Sequence, residues 1–183
     1  MSDVYETDRY VGEYLLFHYG KSEEILPWED GPAAALGFPV RTVGHFSKGS
    51  VERSLDVGCA VGRSSFELGR TSGEVIGIDF SRAFITAAEK IGAGQTLSCQ
   101  RLEEAGEVTT VNVERPGGTN GDGVTFEVGD AMNLRDELGK FDRVHAANLV
   151  CRLLVAHCAR SRKKRLGLQL FGAVAVRARV RAR

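Results

Sequence analysis

Residues 54–63 read Ser-Leu-Asp-Val-Gly-Cys-Ala-Val-Gly-Arg, and one helix length later Val75-Ile76-Gly77-Ile78-Asp79 follows. The first stretch is an apolar strand that enters an acidic, glycine-rich turn. The second is an apolar strand closed by a carboxylate. A strand, a glycine turn, a helix and a second strand ending in an acid make half of a nucleoside-binding site. Gly58 and Gly62 let the backbone turn tightly and come close to a bulky ligand. A helix starting near Arg63 offers unpaired N–H groups and a positive dipole end. Asp79 has the position of an acid that accepts hydrogen bonds from both hydroxyls of a ribose.

Outward from this stretch the pattern repeats. Ser64-x-x-Glu67 has capping-box spacing at the start of the first helix. Ser81 is placed to cap the next, where Phe84, Ile85, Ala88 and Ile91 form an apolar stripe. A third strand is predicted over 124–128, followed by Gly129-Asp130-Ala131, and a fourth over 143–147. Alternating strands and helices predict an α/β fold whose parallel sheet has about four core strands. The 92–123 link is long for such a connection. Strand character at 97–103 and 107–114 predicts an inserted hairpin. Upstream, 7–19 reads as a helix with Thr7 as N-cap and Gly20 as the stop, and Val11, Tyr14, Leu15 and His18 share one face. Residues 21–32 read as loop and about 39–46 as a short helix. The expected organisation is an N-terminal helical lid (1–50), a nucleoside-binding core with the hairpin (51–153), and a basic low-complexity tail (154–183) outside the fold.

The zero net charge hides two unlike parts. Residues 1–153 carry 15 Lys and Arg against all 24 acids, a charge of −9, whereas 154–183 carry nine cations and no acid. Ser161-Arg-Lys-Lys-Arg165 has the make-up of a nucleic-acid patch, but a tail without acids or a core pattern reads more simply as solvated chain. The four cysteines show no pairing pattern, the first residues lack a secretory signal, and no apolar run reaches membrane-span length. A cytoplasmic chain with no membrane partner is expected. Cys151, His157 and Cys158 lack zinc spacing, so no metal site is expected.

The set Leu55-to-Arg63, Ile78-Asp79-Phe80-Ser81, Gly129-Asp130-Ala131 and Phe141-Asp-Arg-Val144 resembles the Rossmann-like S-adenosyl-L-methionine (SAM) methyltransferases. The resemblance implies that Asp56, Gly58, Cys59, Ala60 and Gly62 line the methionine end of the cofactor, that Asp79 and Phe80 take the ribose side, and that Asp130 and Ala131 border the adenine. Ala60 stands where the usual pattern has a glycine. A nicotinamide dinucleotide fits less well, because the third glycine of Gly-x-Gly-x-x-Gly is missing and Asp56 puts an acid at the turn.

More narrowly, Tyr5-Glu-Thr-Asp-Arg-Tyr-Val, Tyr14-Leu-Leu-Phe-His-Tyr-Gly20, Asp56-to-Leu68 and Ala147-Asn-Leu-Val-Cys-Arg-Leu153 resemble the mercaptohistidine N-methyltransferase domain of ovothiol biosynthesis. That implies a thiolated histidine as methyl acceptor. Tyr5, Asp8, Arg9 and Tyr19 would then bind substrate, with Arg9 pairing its carboxylate, and Tyr14, His18 and Asn148 are the catalytic candidates. For each single aromatic the plainer reading is core packing, and Asn148 equally suits a helix cap. The resemblance covers about 5–153 and stops where the family continues with a helix and three strands, so a C-terminally truncated and catalytically weakened form is expected. A non-catalytic product whose basic tail binds a polyanion is the alternative from a different class, and a general small-molecule methyltransferase the alternative within the same one.

Overall fold

The computed structural model describes residues 3–28, 31–119, 121–149 and 174–176. A 3-10 turn over Asp3–Glu6 leads into α1 (Asp8–Tyr19), α2 (Ser22–Ile25), a 3-10 turn at Ala33–Ala35 and α3 (Phe38–Val43). The alternating core follows as β1 (Val51–Val57), α4 (Arg63–Gly69), β2 (Ser72–Asp79) and α5 (Arg82–Gly92). The hairpin is β3 (Leu97–Leu102) with β4 (Val108–Val113), and the core resumes with β5 (Val124–Val128), β6 (Arg143–Ala146) and β7 (Val174–Val176). The main sheet runs β5-β2-β1-β6-β7, parallel in its first four strands, with β7 antiparallel to β6.

The side-chain alternation along β1 and β2 explains the two-sided burial. Phe66, Leu68, Val75, Phe84, Ile91 and Val124 pack on the face covered by α4 and α5. Leu55, Val57, Ile76 and Ile78 point the other way and meet Leu138, Phe141 and Ala146. The inserted hairpin pairs Leu97–Leu102 with Val108–Val113 and buries Cys99, Val111 and Val113 in the same cluster as Leu15 of α1. Its contribution to the site is therefore indirect: it backs the helix that carries Tyr14 and His18.

Several expectations change. The 21–32 loop contains α2, whose Lys21 N–H is held by the Glu24 carboxylate at 2.7 Å. The Ser64/Glu67 capping box does not form. Gly62 is the N-cap in a left-handed conformation, and Glu67 pairs with Arg63 and Arg70 instead. The reason is geometric: a Cβ at Gly62 (φ +84°) would lie 2.7 Å from the Phe126 ring, so the N-cap position is reserved for glycine and the helix starts at Arg63, as expected. Thr7 makes no side-chain cap, since its hydroxyl donates to the Val4 carbonyl at 2.9 Å. Ser81 does cap α5, accepting from the Phe84 N–H at 3.1 Å. The expectation that 154–183 stands outside the fold is corrected at Val174–Val176, which forms β7 along β6 in the register Val144↔Val176 and Ala146↔Val174. Backbone pairing satisfies the N–H and C=O row that a bare β6 edge would expose. The rest of that expectation, and Cys151, His157 and Cys158, lie outside the described residues. Among the described residues no helix is long and apolar enough to cross a membrane, and no group of His, Cys, Asp and Glu gathers as metal ligands.

Candidate functional site

The carboxyl ends of β1, β2, β5 and β6 lie along one edge of the sheet, and the chain reverses its winding about β1. Open α/β sheets bind their ligands at that place. A cavity of about 330 Å³ opens there, lined by Gly58, Cys59 and Ala60 after β1, Asp79, Phe80 and Ser81 at the end of β2, Gly129–Met132 after β5, and Ala147, Asn148 and Leu149 after β6. α1 and the turn before it close the cavity with Tyr5, Glu6, Tyr14, Phe17 and His18.

The glycine turn is held by hydrogen bonds to its neighbours. Gly58 N–H and Cys59 N–H both donate to the Ile78 carbonyl, at 2.7 and 3.1 Å. Ala60 N–H donates to Asp79 Oδ2 at 2.9 Å, and Ser81 N–H to Asp79 Oδ1 at 2.9 Å. Each Asp79 oxygen thus keeps a lone pair for a ligand while the carboxylate is locked in place. Burial raises the Asp79 carboxyl above its ordinary range, and the hydrogen bonds from the Ser81 and Ala60 N–H groups oppose that rise. Ala60 adopts φ +48°, a conformation that costs a residue with a Cβ on the order of 1 kcal/mol or more. Alanine at the usual glycine position is therefore accommodated with strain.

Behind the turn lies a buried polar network. Asp56 is 1% exposed and accepts from Ser65 Oγ at 2.6 Å and from His145 Nδ1 at 2.7 Å. An ionised carboxylate is acceptor-only, which puts the His145 proton on Nδ1. Thr42 Oγ1 meets His145 Nε2 at 3.0 Å. This chain ties α3, β6, β1 and α4 together directly beneath the turn. His145 also lines the cavity.

The N-terminal lid is fastened at both ends. The Glu6 carboxylate accepts from Arg82 N–H at 3.1 Å and Ala83 N–H at 3.2 Å, and Ser81 Oγ donates to the Tyr5 carbonyl at 3.0 Å. At the far end of α1, Tyr19 donates its hydroxyl to the Val61 carbonyl at 2.7 Å, with Arg63 over its ring. Between these fasteners an aromatic wall forms: Tyr14 lies 4.5 Å from Phe84 and 5.5 Å from His18, and Tyr5 lies 5.7 Å from Phe84, centroid to centroid.

Of the residues singled out in the sequence, Gly58, Cys59, Ala60, Asp79, Phe80, Asp130, Ala131, Tyr5, Tyr14, His18 and Asn148 line the cavity together. Asp130 also turns its carboxylate onto its own backbone, accepting from the Met132 N–H at 2.8 Å. Asn148 is exposed and adopts φ +54°, as a turn residue would. Asp56 and Gly62 support the turn from behind. Asp8, Arg9 and Tyr19 are not in the cavity wall: Asp8 is exposed, Tyr19 faces Val61, and Arg9 pairs with Glu13 one helical turn on, its side chain 82% exposed. Sequence reasoning missed Glu6 and His145. A histidine inside the strand predicted over 143–147 was the available signal for the second; Glu6 gave none.

His18 is the least satisfied group here. Its Nδ1 is buried and has no hydrogen-bond partner among the described residues. Burial lowers its pKa from 6.5 to about 4, with Asp56 opposing and Arg63 reinforcing the shift. Between these values the unfolded chain holds the extra proton and the folded chain does not. Stability therefore falls as pH drops from about 6.5 toward 4, by up to about 1.4 kcal/mol per pH unit. Urea unfolding of wild type and His18→Gln at a series of pH values should give the steeper acid loss in wild type; equal slopes would contradict the buried neutral ring.

Comparison with curated proteins gives no match. Among solved structures, the YcgJ protein of Bacillus subtilis aligns at 18% identity over 67% of this chain and 44% of that chain, with a TM-score of 0.43. Phosphoethanolamine N-methyltransferase 1 of Haemonchus contortus, in complex with phosphoethanolamine and S-adenosylhomocysteine, aligns at 16% identity over 79% of this chain and 24% of that chain, TM-score 0.43. Magnesium protoporphyrin IX methyltransferase of Synechocystis PCC 6803 with bound SAM aligns at 20% identity, 61% and 41%, TM-score 0.37. The chain spans less than half the length of each of these three. A family model described as "Methyltransferase domain" matches residues 48–169, most of the chain, including β1, the glycine turn, Asp79 and β6. The chain thus belongs to the methyltransferase domain family.

Proposed function

We propose that this chain binds SAM at the glycine turn and transfers its methyl group to a small molecule held under the N-terminal lid. The observation that carries this reading is Asp79, locked by two backbone N–H groups at the end of β2 with acceptor capacity to spare beside the Gly58–Ala60 turn. The residues suit the cofactor. The turn brings backbone within reach with no side chain larger than that of Cys59, Asp79 suits the ribose, Asp130 and Ala131 the adenine, and the cavity volume falls in the ordinary range for small-ligand sites. When bound, SAM supplies a methyl group on a cationic sulfur with a neutral leaving group. The protein then has mainly to align and desolvate the acceptor, and such positioning can supply roughly 7–11 kcal/mol of a barrier. The fastened lid and the Tyr5, Tyr14 and Phe84 wall suit that task.

For the acceptor we take a thiolated histidine, methylated at a ring nitrogen. Its support is the resemblance over 5–20 and 147–153, together with the aromatic and histidine lining beside the turn. Arg9 is withdrawn as the partner of its carboxylate, because that side chain points away from the cavity. A specific observation favours a second reading, an uncharged or cationic acceptor: Glu6, Asp79 and Asp130 line the cavity, and no Lys or Arg does among the described residues. Incubating the chain with SAM and 5-thiohistidine should give a product one methyl heavier by mass spectrometry. Methylation of amines or uncharged azoles with none of 5-thiohistidine would select the second reading.

A further inference from the structure

We infer that His18 anchors the methyl acceptor: the ring nitrogen left without a partner accepts a hydrogen bond from an N–H or O–H of the acceptor, and this turns the acceptor's nucleophilic lone pair toward the glycine turn. The inference rests on the methyl-transfer reading of the same cavity and names the class of molecule it takes, a planar azole with one N–H and one bare nitrogen.

Four observations converge on it. The first is the orphaned atom. Buried polar atoms are nearly always paired, and Nδ1 of His18 has no partner among the described residues although the ring stands in the cavity wall. A bound donor would remove that deficit. The second is rigidity. α1 is tied to α5 through Glu6 and Ser81 and to the turn through Tyr19, so His18 cannot swing away from the turn without breaking several hydrogen bonds. The third is shape. Tyr14 at 5.5 Å and Phe17 at 5.9 Å flank the imidazole, and Tyr14 packs on Phe84, which leaves a wall of flat rings suited to a flat acceptor.

The fourth is charge. Cys59, His145, Glu6, Asp79 and Asp130 line the cavity with His18, and Asp56 and Arg63 act on its ring from behind the wall. Burial and Arg63 keep the His18 ring uncharged at neutral pH, with Asp56 too weak an opponent to restore the proton. An uncharged ring can accept a hydrogen bond, which a protonated one cannot do. It also adds no repulsion next to a cationic methyl donor. For an azole acceptor the consequence is a fixed tautomer. The N–H side is engaged by His18, so the bare nitrogen, which needs no deprotonation before attack, is presented to the methyl group.

The test uses the full chain loaded with S-adenosylhomocysteine and imidazole as the acceptor probe, followed by calorimetry and by the NMR shifts of the His18 ring. Wild type should bind imidazole with a shift of the His18 resonances. His18→Phe, which keeps a flat ring without hydrogen-bonding capacity, should weaken imidazole binding about tenfold or more, while affinity for S-adenosylhomocysteine changes less than about twofold. His18→Gln should recover most of the loss, since it restores an acceptor. Equal imidazole binding by wild type and His18→Phe would overturn the inference, as would a loaded wild type that takes up no imidazole. A chain that does not bind S-adenosylhomocysteine overturns the methyl-transfer reading, and this inference with it. A loaded chain that ignores imidazole overturns the inference alone.

Discussion

Replacing Asp79 by alanine is expected to weaken SAM binding by about 2–4 kcal/mol, roughly thirtyfold to several hundredfold. Two effects add. The ribose hydroxyls lose a charged acceptor, and the Ala60 and Ser81 N–H groups lose the carboxylate that fixes them at 2.9 Å each. The second effect separates this site from a simple contact residue. Asp79→Asn keeps one carbonyl acceptor and should fall between wild type and Asp79→Ala. Calorimetry on variants shown to be folded by circular dichroism measures both. An Asp79→Ala protein that binds SAM as tightly as wild type would remove the ribose assignment.

The second large effect is on stability. Asp56→Ala should destabilise the fold by about 3–5 kcal/mol, because it strips both His145 Nδ1 and Ser65 Oγ of their partner in a fully buried place. A domain of this size has about 5–15 kcal/mol to lose, so the variant would be marginal at room temperature. Denaturant titration should show a lower midpoint with an unchanged slope. The double variant Asp56→Asn/His145→Gln should be less destabilised than the sum of the single ones, since the two residues share one hydrogen bond. Additive losses would mean that the two residues act independently.

The contrast between these two acids shows what the sequence carried and what it did not. Both were legible as site residues because they follow apolar strands, and strand ends define the ligand edge of a parallel sheet. Their different jobs were not legible. Asp56 points within β1 toward β6, a pairing that spans about ninety residues of sequence, whereas Asp79 sits at the end of its strand and meets the backbone of Ser81 beside it and of Ala60 in the preceding turn. The same distinction governs the N-terminal helix. The helical period that groups Val11, Tyr14, Leu15 and His18 on one face excludes Arg9, and the structure pairs Arg9 with Glu13 on the opposite side.

Element positions followed the same logic. Val124–Val128 and the hairpin strands were readable from local alternation. The helix start near Arg63 was readable, but the Ser64/Glu67 spacing imitates a capping box, while the constraint that acts at the N-cap is the Phe126 ring from a distant strand. Val174–Val176 lies in the tail whose composition reads as solvated chain, and its pairing with β6 is a three-residue backbone ladder between distant segments that local composition does not announce.

The most direct test of the central claim is a crystal structure of this chain grown with S-adenosylhomocysteine. The account predicts one ligand per chain in the cavity at the carboxyl edge of β1, β2 and β5, with both ribose hydroxyls on Asp79 and the sulfur facing the lid side that carries Tyr14 and His18. A ligand bound elsewhere, or its ribose hydroxyls on a residue other than Asp79, would contradict it.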